Sequence, residues 1–205
     1  MLKSGIINKK IEYIAGIPCG GIPVAIEIHK RLKIPLEVVI VRKILIPWDK
    51  EAGYGAVAPD GSFILNEPLV SALGLGSEHL RSGINETLNE IRRREKMFRC
   101  NRDYTRLKGK NVVLIDDGLA SGYTMLAAIQ YLKRVEVGDI YVAVPTASPR
   151  SIVLISRHVN GIFVANVRDD MFGFAVADAY KFWRDISDEE VILMLKDVGY
   201  LNECL

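Results

Sequence analysis

Two adjacent carboxylates, Asp116 and Asp117, stand directly before a loop rich in glycine and hydroxyl-bearing residues. The loop runs from Gly118 to Thr124, where a helical pattern begins. The backbone N–H groups of such a loop, at the N-terminus of a helix, form a site for a phosphate. The two acids would repel a phosphate, but they can accept hydrogen bonds from sugar hydroxyls or help to bind a metal ion. Phosphate donors beside paired acids therefore predict a sugar phosphate as the ligand.

The elements on either side of this loop would hold it in place. Four branched apolar residues, 112–115, precede the acids, a pattern typical of a strand buried on both faces of a parallel sheet. After the loop, apolar residues recur at helical spacing, at Met125, Ala128, Ile129, Leu132 and Val135. The loop lacks the G-K-[ST] ending of a Walker loop and the G-x-G-x-x-G pattern of a dinucleotide-binding site. The absence of these two motifs excludes both of those alternatives.

A second strand–loop–helix unit lies near the start of the chain. Residues 11–15 form a short apolar run, and residues 16–21 form a glycine-containing loop that precedes an amphipathic helix. Its backbone N–H groups suit another anionic group. Residues 36–41 then predict a buried strand that ends at Arg42 and Lys43. Ligands of open α/β sheets collect at such strand ends, so these two cations are candidates to neutralise a diphosphate.

The segment from Ile115 to Thr124 resembles the phosphoribosyl-pyrophosphate (PRPP) binding motif of type I phosphoribosyltransferases. The similarity extends from about Glu12 to the C-terminus and fits the branch of this family whose base is unassigned. The resemblance implies that Asp116 and Asp117 are the catalytic acids. The residues that it implies for the 5-phosphate are Gly118, Leu119, Ala120, Ser121, Gly122, Tyr123 and Thr124. Those that it implies for pyrophosphate are Pro18, Cys19, Gly20, Gly21, Arg42 and Lys43.

The resemblance also implies a reaction, a cofactor and an assembly. The reaction would move a 5-phosphoribosyl group from PRPP to a nucleobase-like acceptor with release of pyrophosphate. The cofactor would be Mg²⁺ without a dedicated protein ligand, contacted by Asp116 and Asp117 through water or ribose hydroxyls. A homodimer is expected on the same ground.

One position departs from the family pattern. Relatives often carry an arginine where this chain has Cys19. The first loop would then bind pyrophosphate through its backbone alone. The departure keeps an alternative open, in which the protein senses PRPP, with or without RNA binding, and transfers nothing.

A cluster of basic residues lies in the middle of the chain, at residues 92–99 and again at Arg106, Lys108 and Lys110. Three interpretations of this cluster remain open: a solvated helix face, a mobile lid that contributes cations to pyrophosphate, and a contact with RNA. Because residues 94–108 carry many charges and few apolar side chains, the lid interpretation predicts that little packing holds them.

The C-terminal part of the chain becomes aromatic. In the resembled family, polypeptide outside the core sheet forms a hood over the base. Phe172 and Phe174 follow the last predicted strand and are the candidates to stack on the base, although such rings also form the core of a hood. A capping box at Ser187–Glu190 predicts a last helix.

Composition and short motifs limit the classes of protein to which this chain can belong. The formal net charge of +2 is too small to indicate nucleic acid as a partner. The sequence shows no apolar run of membrane-spanning length and no signal peptide, so a cytoplasmic protein is expected. Cys19, Cys100 and Cys204 lack metal-binding spacing and are expected to be reduced thiols. The absence of a G-x-S-x-G elbow argues against an α/β-hydrolase.

The alternation of strands and helices predicts an α/β fold. We expect a doubly wound, mostly parallel sheet of five or six strands with helices on both faces and a small C-terminal hood. Residues 1–167 would form the core, including a hairpin and a mobile loop over about 42–110. Residues 168–205 would form the hood within the same domain.

Overall fold

The computed structural model describes residues 10–169 and 173–202 of the chain. The strands of its main sheet are β1 (Tyr13–Gly16), β2 (Leu36–Val38), β6 (Val112–Ile115), β7 (Ile140–Ala147) and β8 (Gly161–Val167). They are all parallel and lie in the order β2-β1-β6-β7-β8. The predicted α/β class with a mainly parallel sheet is confirmed, with five strands in this sheet among the described residues.

The strand order creates a switch point between β1 and β6. From β1 the chain turns outward to β2 on one side, and it later returns on the other side through β6. Gly16 and Ile115, the last residues of these two strands, stand opposite each other in the register. Ligands of open α/β sheets bind outside the carboxyl ends of strands at such a point. The two loops that were predicted to bind anions therefore start side by side.

Helices cover both faces of the sheet. They are α1 (Gly21–Leu32), α2 (Glu67–Ala72), α3 (Ser77–Arg94), α4 (Tyr123–Arg134), α5 (Pro149–Ser156) and α6 (Asp188–Asp197). Successive strand residues point to opposite faces, so Leu114 joins a core cluster with α4 while Ile115 joins another with α1, α3 and α6. This two-sided burial explains the continuous apolar run in β6.

A small antiparallel sheet stands beside the main one. Its strands are β3 (Arg42–Ile46), β4 (Asp49–Val57) and β5 (Phe63–Leu65). The predicted hairpin is confirmed as β4 and β5. One neighbouring prediction is wrong. The strand over residues 36–41 ends at Val38, so Arg42 and Lys43 begin β3 instead of following a strand of the main sheet. The buried run 39–41 stays apolar while the chain passes between sheets, which hides the change from a sequence pattern.

The segment that follows α3 is packed, which contradicts the expectation of little packing over residues 94–108. It forms a π-helical turn (Glu95–Arg99) and a 3₁₀ turn (Tyr104–Leu107). Phe98, Arg99 and Leu107 are completely buried. The interpretation of this segment as a loosely held lid is therefore wrong.

Arg99 is the residue that makes this packing possible. Its guanidinium lies 2.7 Å from Glu37 Oε1 of β2 and 3.1 Å from Glu95 Oε2. Its guanidinium carbon stands 3.4 Å from the ring centroid of Tyr104, and the hydroxyl group of Tyr200 also donates to Glu37. A charge that is hydrogen-bonded on several sides can be buried, and none of the three interpretations of the basic cluster had placed Arg99 in the core.

The cysteines differ in their state. Cys100 takes part in a disulfide, so the expectation of reduced thiols is wrong at this residue, while Cys19 is a free thiol.

The last helix packs into the core. Helix α6 contributes Val191 and Leu195 to the core beside α1. Only the preceding part of the tail is therefore available to form a hood. Among the described helices, none combines the length and apolar character that crossing a membrane requires.

Candidate active site

A cavity of about 1870 Å³ opens at the carboxyl ends of β1 and β6. Most of the residues that the sequence singled out line it. They are Pro18, Cys19, Gly20, Arg42, Lys43, Asp116, Asp117, Gly118, Leu119, Ala120, Ser121, Gly122, Tyr123, Thr124 and Phe174. The structure thus brings together residues that are about a hundred positions apart in the chain.

One predicted site residue among those that the structure describes, Gly21, does not line this cavity. Gly21 is the first residue of α1 and is buried beneath the loop, where an added Cβ would lie 2.7 Å from the carbonyl oxygen of Ile115. The missing side chain allows α1 to pack closely on the end of β6, and the N–H of Gly21 donates to the carbonyl oxygen of Ile17 at 3.0 Å, so its assignment to pyrophosphate stays a prediction. Phe172 lies outside the described residues.

The loop before α4 presents its backbone N–H groups to the cavity. Gly122 has a φ of +81° at the helix N-cap, a conformation that favours glycine, and α4 has no side-chain cap. Within the described residues, the N–H groups of positions 120–124 have no hydrogen-bond partner. The N–H of Leu119 does not belong to this set, because it donates to the carbonyl oxygen of Thr146 at 3.0 Å. Five free donors at a helix N-terminus remain suited to a phosphate.

Two serines that sequence reasoning missed hold this loop from behind. Ser148 Oγ donates to the carbonyl oxygen of Ala120 at 3.0 Å, and Ser151 Oγ donates to that of Leu119 at 2.9 Å. Both serines are buried at the start of α5. These two contacts hold the carbonyl side of the loop against α5. No local pattern in the sequence pointed to either carbonyl partner.

The acidic pair sits at the end of β6 in a confined environment. Asp116 Oδ1 accepts a hydrogen bond from the N–H of Asp117 at 2.9 Å. Burial raises the pKa of both carboxyls, and the charge of Asp117 raises that of Asp116 further. The charge of Lys43 acts in the opposite direction on Asp117. Hydroxyl donors or a cation beside the pair would therefore stabilise its ionised form.

The two loops approach each other closely at Gly20. A Cβ at this position would lie 1.8 Å from Asp117 Oδ2, so a side chain here would force the carboxylate of Asp117 to move. The peptide bond between Pro18 and Cys19 in this loop is cis. The contact joins the proposed sites for diphosphate and sugar into one continuous surface.

Part of the C-terminal tail covers the same cavity. Tyr180 Oη donates to the carbonyl oxygen of Asp117 at 2.7 Å, which ties the tail to the acidic pair. Val176 packs on Gly118, where an added Cβ would lie 2.8 Å from its methyl carbon. Phe174 is half-buried, and it lines the cavity together with Phe182 and Trp183. The hood expected from the tail is thus formed by residues within 173–186.

The carboxylates of this cavity fit the way in which Mg²⁺ is usually bound. Among the described residues, no cluster of three or more metal-ligating side chains occurs. Mg²⁺ bound with a phosphate substrate needs only one or two carboxylates and keeps several waters. Asp116 and Asp117 supply such oxygens, and a cation beside them would offset the burial that raises their pKa values.

Comparisons with known proteins agree with this geometry. The family described as the phosphoribosyl transferase domain matches residues 2–183. Proteins of Mycobacterium tuberculosis strains CDC 1551 and H37Rv, provisionally named phosphoribosyl transferases, are each 32% identical over 189 residues. The match covers 92% of this chain but only 42% of each relative, so the chain spans less than half of their length.

A crystal structure of a Thermus thermophilus protein superimposes with a TM-score of 0.70 at 29% identity. It covers 94% of this chain and 90% of the other. The extent of the family match, together with the paired loops at the switch point, shows that this chain belongs to the phosphoribosyltransferase family.

Proposed function

We propose that the protein transfers a 5-phosphoribosyl group from PRPP to a nitrogen atom of a nucleobase-like acceptor, with release of pyrophosphate. One observation carries the proposal. The free N–H groups of residues 120–124 and the loop of residues 18–20 open on one cavity, with Asp116 and Asp117 between them. PRPP has the matching order of groups: a 5-phosphate, a diol and a diphosphate.

Different residues of the cavity would bind different parts of PRPP. The N–H groups of residues 120–124, with the hydroxyls of Ser121 and Thr124, would hold the 5-phosphate. Asp116 and Asp117 would accept hydrogen bonds from the ribose hydroxyls. Arg42 and Lys43, which begin β3 at the cavity wall, would face the diphosphate.

Catalysis would then consist of positioning and electrostatic stabilisation. The bond from the anomeric carbon to pyrophosphate breaks through an oxocarbenium-like transition state, and the acceptor nitrogen bonds to the opposite face with inversion. Mg²⁺, held beside Asp116 and Asp117, would neutralise charge on the departing diphosphate. The tail residues 173–186 would exclude water and hold the acceptor, for which Phe174 is the candidate stacking ring.

The direct test is a turnover assay. The protein is incubated with PRPP, Mg²⁺ and a panel of purines, pyrimidines and other nitrogen acceptors, and both pyrophosphate and the ribosylated product are measured. We expect stoichiometric formation of both with one acceptor class, and no product from the Asp116→Asn/Asp117→Asn variant. A thermal-shift panel of nucleoside monophosphates would identify the acceptor independently, because a bound product stabilises the fold.

Other outcomes of this assay would distinguish a transferase from the alternative, a protein that senses PRPP and transfers nothing. Saturable PRPP binding without turnover on any acceptor would favour a PRPP sensor. The absence of PRPP binding would exclude both. An RNA-binding sensor has little support in the basic cluster, because Arg93, Arg94 and Arg99 are engaged by carboxylates.

A further inference from the structure

The first loop has no side chain able to neutralise a diphosphate. Cys19 is half-buried, and burial, with Asp188 as a further cause, raises the pKa of its thiol to about 11. Its Sγ donates to Asp188 Oδ1 at 3.5 Å. The thiol is therefore neutral at physiological pH, and the positive charge for a diphosphate has to come from elsewhere.

A guanidinium group lies next to this thiol. Arg94, the last residue of α3, places one terminal nitrogen 2.9 Å from Asp188 Oδ1, the same oxygen that Cys19 contacts. Its side chain is only 13% exposed and rests near the ring of Phe98. Arg94 nevertheless lines the cavity together with Pro18, Cys19 and Gly20. It therefore reaches the first loop from the end of α3, within the basic cluster for which the sequence left three interpretations open.

The hydrogen-bonding capacity of Arg94 is only partly used. Within the described part of the chain its Nε–H is buried and has no hydrogen-bond partner. A guanidinium presents five N–H donors in a planar fork that matches phosphate oxygens. A buried donor without a partner is unfavourable, so an anion that accepts from it would be bound more strongly.

The surrounding charges favour an anion at this place. Arg42 also lines the cavity, and burial together with the nearby charge of Arg94 lowers its pKa. Glu90 and Asp188 oppose this effect, but both are also engaged by Arg93. Two guanidinium groups that face one space repel each other, and a diphosphate between them would relieve that repulsion.

We propose that Arg94 binds the diphosphate of PRPP and supplies the positive charge that the first loop, with its neutral Cys19, lacks. This inference rests on the proposed function and assigns a specific group to its leaving-group site. Charge developing on the departing pyrophosphate would be stabilised by the guanidinium, so Arg94 would lower the barrier of transfer as well as the dissociation constant.

The test compares two ligands and three variants. Dissociation constants of Mg²⁺–pyrophosphate and of ribose 5-phosphate are measured by calorimetry for the wild-type protein, Arg94→Gln, Arg94→Met and Arg92→Gln. Arg92 is an exposed cation two residues away that does not line the cavity, so it is the matched control. Methionine keeps the aliphatic packing of Arg94 if glutamine destabilises the fold.

We expect both Arg94 variants to bind pyrophosphate at least tenfold more weakly while ribose 5-phosphate binds within twofold of the wild type. The Arg92 variant should bind both ligands as the wild type does. Equal losses for the two ligands, or an unchanged pyrophosphate affinity, would overturn the inference and leave the proposed function intact. A wild-type protein that binds neither ligand would overturn both.

A second measurement does not depend on any variant. In a crystal structure of the wild-type protein with Mg²⁺ and pyrophosphate, we expect a pyrophosphate oxygen within hydrogen-bonding distance of the Arg94 guanidinium. Pyrophosphate seated in the cavity out of reach of Arg94 would reject the inference.

Discussion

At the scale of single residues, Asp116 and Asp117 determine how the cavity responds to pH. Burial raises the pKa of both carboxyls above the ordinary value for aspartate. Each therefore binds its proton more tightly in the folded than in the unfolded protein. Their contribution to folding is favourable at low pH and is lost as the pH rises from about 4 upward, toward the raised pKa.

The first prediction follows from this sign. Asp116→Asn removes a carboxyl that is unfavourably buried when ionised, so it should raise the melting temperature at pH 7 and change it less at pH 4. Thermal denaturation at the two pH values measures the effect. Asp197→Asn, at an exposed position of α6, is the control and should show no comparable pH-dependent gain. A melting temperature lowered at pH 7 would contradict the prediction.

The same variant should lose function as it gains stability. Buried ionised carboxyls are unfavourable for folding but useful for binding sugar hydroxyls. This opposition is common at active sites, where local strain is compensated by the rest of the fold. A gain in stability together with a loss of function would therefore distinguish a binding role of the acidic pair from a purely structural role.

At the scale of elements, the first turn of helix α5 holds the loop before α4 through hydrogen bonds. Ser148 and Ser151 bind the carbonyl groups of Ala120 and Leu119 and so determine the orientation of the loop. The loop therefore depends on this contact between two elements for its carbonyl partners.

The second prediction tests that contact. Ser151→Ala removes one of the two donors to the carbonyl oxygen of Leu119 and leaves only the N–H of Ser148, so it should lower the free energy of unfolding by about 0.5–1.5 kcal/mol. It should also weaken the binding of ribose 5-phosphate, because the loop is less well oriented. Chemical denaturation and calorimetry measure the two effects. Ser156→Ala, at an exposed serine of the same helix, should change neither; a Ser151 variant indistinguishable from it would refute the proposal.

The third prediction concerns the turn after α3. Arg99→Ala would remove the cation nearest to the buried carboxylate of Glu37, which would keep only Arg106 at 3.7 Å, and the cation beside Glu95. This should lower the free energy of unfolding by about 3 kcal/mol. Lys108→Ala removes an exposed ion pair with Glu136 and should cost less than about 1 kcal/mol. Denaturant titration of both variants gives the comparison. Equal effects would mean that Arg99 does not hold this segment.

At the scale of the whole molecule, the C-terminal tail serves two parts of the fold. Its first part, 173–186, lies over the cavity, whereas α6 packs into the core beside α1. The Tyr180 hydrogen bond to Asp117 connects the first part to the acidic pair. The tail is thus joined to the domain at both ends, and the cavity is closed by a segment of that same domain.

The fourth prediction tests whether the tail unfolds with the rest. Leu195→Ala removes a completely buried side chain of α6 and should lower the free energy of unfolding by about 2–5 kcal/mol within a single cooperative transition. Leu193→Ala, on the exposed side of the same helix, should change it little. Fluorescence and circular dichroism followed together during denaturation would detect a separate tail transition, which would contradict the prediction.

The sequence by itself determined the parts of this protein that are local. The β6–loop–α4 unit, the glycine loop after β1 and the capped starts of α5 and α6 each depend on neighbouring residues, whose propensities and hydrogen bonds operate within a few positions. A long motif of this kind was enough to place Asp116–Thr124 at a sheet edge and to indicate the family.

Only the tertiary structure decided which distant groups meet there. Arg94, Ser148 and Tyr180 line the cavity from separate parts of the chain, and Arg99 is buried although its neighbours are charged. The switch of the chain at residues 39–41 from one sheet to another was also invisible in a run of apolar residues. The physical reason is the same in each case: these contacts are satisfied by partners tens of residues away, and no local pattern records the geometry that brings them together.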